Sequence, residues 1–183
     1  MTLTILNELI ETRFKYNHLR KQLFFEEVIF SYQWWILILI TVGVWVLWAI
    51  VVDRSRFNTI LLVGFITTIL ATVFDDIGIS LGLWFYPYQI TYFTSRLTPV
   101  DMSIVPVFYM LLYQYFSKWK PYLITLFLLC LFAVFVAEPF FVLLNMYIKL
   151  NWEYWYSGPI YILIGIIVKV VVDRLFKNTM LHH

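Results

Sequence analysis

Four carboxylates in this sequence stand where an apolar chain has least use for them. Asp75 and Asp76 are flanked by the apolar stretches 60–74 and 77–83, Asp101 follows Thr98-Pro99-Val100, and Glu138 precedes Pro139. An acid inside a membrane span costs ~2.5–3.5 kcal/mol on insertion scales, so it is kept where it binds or reacts. Adjacent helical residues point about 100° apart, so Asp75 and Asp76 cannot share a face and at least one should enter the protein interior. Burial disfavours a carboxyl's charged form, and a carboxyl that keeps its proton is a proton donor. Ring faces attract cations by ~0.5–2 kcal/mol each, and rings are at hand in Trp84, Tyr86, Tyr88 and Trp152. An acid beside aromatic walls suits carbocation chemistry on an isoprenoid or other lipid. Asp75, Asp76, Asp101 and Glu138 are then the candidate acids and bases. Trp84, Tyr86, Tyr88, Arg96, Asn145 and Trp152 are the candidate substrate-binding residues.

Plainer roles compete with these. The same acids suit a proton-coupled carrier. A carboxylate in the first turn of a helix stabilises the free amides there, which would account for Asp101. Glu138 can mark a helix end in the headgroup layer, and the Asp pair can be matched structurally by Arg96 or a tyrosine hydroxyl. Other chemistries lack their signatures. His18, His182 and His183 lie in terminal segments and the single Cys130 sits in an apolar run, so no His/Cys spacing fits a metal and a disulfide framework is excluded. Neither a phosphate-cradling glycine loop nor a nucleophile elbow occurs. No metal or cofactor is expected. A net charge of +2 is too small to suggest nucleic acid.

Positioning such residues falls to an unusual chain. Hydrophobic residues make up 62% and charged residues 13%, where a soluble domain carries roughly 25% charge. The expected solvent is lipid, and the expected place is the cell membrane, crossed several times. About 20 apolar residues in a helix span a bilayer core of roughly 30 Å. That ruler predicts an all-α, polytopic membrane bundle over 33–178, with helices at 34–52, 58–83, 99–116, 122–138 and 157–176. Residues 1–32 precede it as an amphipathic segment with Leu6, Leu9, Ile10 and Phe14 at helical spacing. Pro106 should kink the third helix. Residues 139–156 either extend the fourth helix past Pro139 or lie flat at the interface. Alternating helix directions bring Asp75, Asp101 and Glu138 to one membrane side, with Asp75 about 26 Å along from Asn58 at about 1.5 Å per residue. Residues 84–98, rich in aromatics, are longer than a simple turn needs and should fold over the acids as a lid. Basic residues after the first and third helices and at the C-terminus favour N-out, C-in, although Arg13, Lys15, Arg20 and Lys21 oppose it.

Two family resemblances add to this reading. From Trp48 onward the chain resembles an uncharacterised family of small five-span membrane proteins of Gram-positive, spore-forming bacteria. The stretches that carry it are Trp48 with Asp53-Arg54, Asp75-Asp76-Ile77-Gly78, Gly82 to Pro87, Leu97 to Asp101, Met110 to Tyr115, Glu138-Pro139 and Asn151-Trp152. That resemblance implies a topology and no activity. More weakly, Gly82-Leu83-Trp84-Phe85-Tyr86 and Pro99-Val100-Asp101-Met102 are similar to segments of the heterodimeric-type lycopene cyclases and related transmembrane terpene cyclases. Those enzymes have two acids where this chain has Asp101 and Met102, and usually more helices. The similarity implies an isoprenoid-like ligand and a lyase or isomerase. The competing expectation is a non-enzymatic protein: a lipid-binding subunit, a scaffold or a small carrier.

Overall fold

The computed structural model describes residues 2–180, so His182 and His183 lie outside the described residues. The chain is mostly helical. Helix α1 (Thr2–Leu23) runs into a single π turn at Phe24–Val28 and stops at Phe30, whose φ of 64° is left-handed. The apolar residues expected to form its stripe, Leu6, Leu9, Ile10 and Phe14, are all exposed. Ser31 caps α2 (Tyr32–Val51), its Oγ accepting from Trp34 N at 3.2 Å.

The turn from α2 into α3 (Phe57–Ser80) is stitched to a third helix. Gln114 accepts from Asp53 N at 3.0 Å and donates to Val51 O at 2.9 Å, filling a carbonyl that α2 leaves free. Hydrogen bonds from Ser55 and Arg56 hold the exposed Asp53 carboxyl down to about 2. Helix α3 ends at Ser80, short of the expected residue 83. The reason is Gly82, at φ 66°: Leu83 N–H reaches Gly78 O and Gly82 N–H reaches Ile79 O, both at 3.0 Å. This double bond pattern closes a helix on a left-handed glycine.

Strand β1 (Trp84–Phe85) then pairs antiparallel with β2 (Ile148–Lys149), Trp84 opposite Lys149. The third expected helix opens as a π turn (Val100–Ile104) before α4 (Val105–Tyr115). Pro106 falls in the first turn of α4, and the Met102 carbonyl that its missing N–H would have filled accepts from Trp45 Nε1 at 3.2 Å. The widened turn stands where a kink was expected. Helix α5 (Trp119–Phe132) passes through another π turn (Ala133–Ala137) into α6 (Glu138–Leu143), so the helix continues beyond the expected end at 138. Asn145, at φ 57°, ends this run. Helix α7 (Tyr154–Met180) begins before the expected Ser157 and carries Pro159 inside it.

Three helices, Tyr32–Val51, Arg54–Ser80 and Trp119–Leu143, are long and apolar enough to cross a membrane. The other two expected spans are less simple: α4 with its π turn is short, and α7 carries Lys169, Asp173 and Arg174. The main core joins Trp48, Ile60, Met110, Tyr122, Leu126 and Val168 from five helices. A smaller one, Leu37, Leu97 and Met146 with Tyr88 against it, supports the hairpin.

Candidate functional site

Asp75 sits in the last turns of α3 on its buried face and is 7% exposed; Asp101, in the π turn that opens the next helix, is 6% exposed. Because α3 and α4 are consecutive and run oppositely, the end of one meets the start of the other. The two carboxyls lie within hydrogen-bonding reach of each other. Asp75 Oδ1 accepts from Trp84 Nε1 and from Tyr86 OH, each at 2.8 Å. With both carboxyls ionised, no N–H or O–H among the described residues reaches Asp75 Oδ2 or Asp101 Oδ2. A proton held between the two would supply the missing donor. An unmet buried acceptor of this kind costs about 1–3 kcal/mol, so the arrangement calls for that proton.

Both acids face a cavity of about 190 Å³. A cavity of ~150 Å³ already admits a benzene ring. Its walls are overwhelmingly apolar or aromatic: Phe74 of α3, Phe108 and Tyr109 of α4, Cys130 of α5, Phe141 of α6 and Ile164 of α7 are among them. Glu138 lines the same space. Its Oε1 accepts from Tyr161 OH at 2.8 Å, while its buried Oε2 likewise has no donor among the described residues. Ser157 lies beside it in the wall and accepts from Trp152 Nε1 at 3.0 Å. Two of the three acids are tied to π turns, Asp101 within one and Glu138 directly after the other. Such single wide turns in α-helices are frequent at functional sites.

The hairpin closes one end of this space. Trp84 packs edge-on to Trp152, with ring centroids 5.0 Å apart, and Tyr86 stacks on Tyr147 at 5.5 Å. Gly78 makes room, since a Cβ there would lie 2.0 Å from two atoms of the Trp84 ring. The connection after Pro87 is held from outside by α1: the Arg20 guanidinium donates to Ser95 Oγ at 2.7 Å and also to Gln89 Oε1 and Thr94 O.

The structure therefore sorts the candidates. Asp75, Asp101, Glu138, Trp84, Tyr86 and Trp152 line one cavity. Asp76 does not: its side chain is 58% exposed and pairs with Arg96 at 3.4 Å. Tyr88 packs in the small core under the hairpin, and Asn145 is exposed in the left-handed turn after α6. Four wall residues with hydroxyl groups went unselected in the sequence: Tyr109, Tyr147, Ser157 and Tyr161. The last two had a usable signal, being four apart and so on one helical face.

A second polar cluster also escaped the sequence reading. Lys169, buried in α7, donates to Ser117 O at 2.9 Å, pairs with Asp173 at 3.3 Å and is surrounded by the rings of Tyr113, Trp119 and Tyr122. Tyr113 OH donates to Asp173 at 2.9 Å. These groups satisfy one another, and none of them borders the cavity. Among the described residues no three His, Cys, Asp or Glu side chains gather around one point.

Fold and site together define a class, a helical bundle enclosing an acidic, aromatic-walled cavity. Comparison with family models, with curated proteins and with solved structures finds no match to this chain.

Proposed function

We propose that this is a multi-pass protein of the cell membrane, with five spans oriented N-out and C-in, whose cavity receives an isoprenoid or other lipid. Membrane residence is supported by the three long apolar helices and by the bulky apolar side chains that α2 exposes, among them Leu39, Val46, Leu47 and Ile50. Patches of that kind are rare on soluble surfaces. Helix α1, with its exposed leucines and the basic pair Arg20 and Lys21 in its last turn, then lies along the headgroups.

The chemistry is that of a terpene-cyclase-like lyase or isomerase. A proton passes from the Asp75–Asp101 pair to one carbon of a substrate double bond; the O–H bond breaks, a C–H bond forms, and the neighbouring carbon becomes a cation. Ring faces of Trp84, Tyr86, Tyr147 and Trp152 lie around the cavity to stabilise it. Glu138, also in the cavity wall, takes a proton from an adjacent carbon, so that a double bond re-forms elsewhere. The proton gained by Glu138 returns to the aspartate pair, and the net change is an isomerisation that consumes no cofactor. The single observation that carries the reading is the pair of buried carboxyls, Asp75 and Asp101, in the wall of an apolar cavity, each with one oxygen that has no donor among the described residues. Mass spectrometry of lipid extracts tests it, comparing cells that make the protein, cells that lack it and cells making Asp101→Asn. An isoprenoid that is converted only by the unaltered protein supports an enzyme. A lipid that co-purifies unchanged makes it a lipid-binding subunit, and no lipid difference of either kind sinks both.

A further inference from the structure

Hairpin-side rings (Trp84, Tyr86, Tyr147, Trp152) and main-core residues (Tyr109, Cys130, Ile164) share the cavity wall and are all buried or half-buried, so a way in for a ligand falls to lining residues that are exposed. Phe108 and Phe132 supply it. They line the cavity and are nevertheless 40% and 51% exposed on the outer surface, unlike the other lining residues, which are buried or half-buried. Phe108 lies in the first half of α4 and Phe132 is the last residue of α5, so both belong to the site end of this helix pair. The pair is joined by a short turn at its other end. At the site end each helix meets a π turn that packs on different neighbours: Val100–Ile104 on α2, α3 and α4, and Ala133–Ala137 on α5, α6 and α7. Residues of both π turns line the cavity, Val100, Asp101 and Ile104 from the first and Ala133 and Ala137 from the second, together with the two exposed phenylalanines.

From this geometry we infer that Phe108 and Phe132 frame a lateral portal through which an alkyl or isoprenoid tail slides from the bilayer into the cavity, without passing through water. The inference rests on the membrane reading above and narrows it: the substrate is a lipid-resident chain with a reactive double bond near its buried end, and not a water-soluble metabolite. The rings act as positioning residues for access and touch no reacting atom. Cys130 and Leu129, two and three residues before Phe132 and on the cavity wall, mark the inside of the portal, whereas Phe127 and Leu128 are exposed on the same helix.

The test uses the full chain in phosphatidylcholine vesicles containing a farnesol-length alcohol with a terminal diazirine. After brief illumination, adducts are mapped by peptide mass spectrometry. Adducts are expected on Phe108, Phe132, Leu129 and Cys130 as well as on outer residues such as Phe127. Phe108→Trp with Phe132→Trp should reduce the inner adducts severalfold and leave the outer ones unchanged, which also reports that the helix is intact. Phe108→Ala with Phe132→Ala, which widens the gap, should raise the inner adducts. Inner adducts that are indifferent to both double variants overturn the portal while leaving the cavity's function standing. If the unaltered protein shows no inner adducts in vesicles but acquires them in detergent, the portal alone falls. Their absence in both media removes the portal and the lipid-binding reading together.

Discussion

At the residue scale, the Asp75-Asp76 pair separates a buried acid from a solvated one by a single peptide bond. Asp76 forms a long, half-wet contact with Arg96, and exposed pairs of this kind contribute about 0–1 kcal/mol. Asp75 holds two ring donors and faces Asp101. Asp76→Asn should leave the lipid profile and the unfolding temperature in detergent almost unchanged. Asp75→Asn should abolish conversion or ligand retention while the protein still accumulates in membranes. Equal and mild effects from the two substitutions, read by expression level and lipid extracts, would return both residues to a structural role.

At the scale of elements, the contact between α3 and the hairpin depends on the absence of one methyl group. Gly78→Ala would drive Trp84 off the helix, because the new Cβ would fall inside its ring. The donor to Asp75 would leave with it. Overpacking of this kind costs ~1–3 kcal/mol, and the loss of Trp84 from the site should reduce activity as Asp75→Asn does. Gly43, in α2, has nothing within 4 Å of an added Cβ. Gly43→Ala is therefore the matched control and should be neutral or stabilising by up to about 1 kcal/mol. Parallel unfolding curves for the two variants would mean that Trp84 does not depend on the close approach at Gly78.

At the scale of the whole molecule, polar chemistry is divided between two places. One, around Asp75, Asp101 and Glu138, has acceptors without donors; the other, around Lys169 and Asp173, is internally complete. The complete cluster ties α7 to the turn between α4 and α5, through Ser117 and Trp119. Lys169→Met would leave Ser117 O without its donor and remove a cation from three ring faces, while Asp173 keeps Tyr113. A loss of about 1–3 kcal/mol is expected from the unmet carbonyl, with the lipid bound in the cavity unchanged. A variant that unfolds normally but fails to hold or convert lipid would show that the two clusters are coupled.

Much of this was legible from residue order alone, for a physical reason. Helix length, apolar composition and the short turns at 52–56 and 116–118 are local properties, and alternating helix direction then follows from connectivity. That suffices to bring Asp75, Asp101 and Glu138 to one end, and it placed the aromatic run beside them. Helix ends were read less well where one residue's conformation decided them: Gly82 stopped α3 early and Asn145, past Pro139, set the end of α6. Which of two neighbouring aspartates turns inward could not be read locally, because apolar residues flank both and rotation of α3 is set by what packs on it. Tyr147, Tyr161, Ser157 and the Lys169 cluster were hidden for the same reason, since each takes its meaning from partners far away in sequence. The π turns were invisible too. They emerge when packing forces an extra residue into a helix, and both contribute residues to the cavity wall. Residue order thus determined the kind of molecule and the end at which its acids gather; only tertiary packing decided that they share one cavity, which oxygens lack donors there, and where that cavity meets the surface.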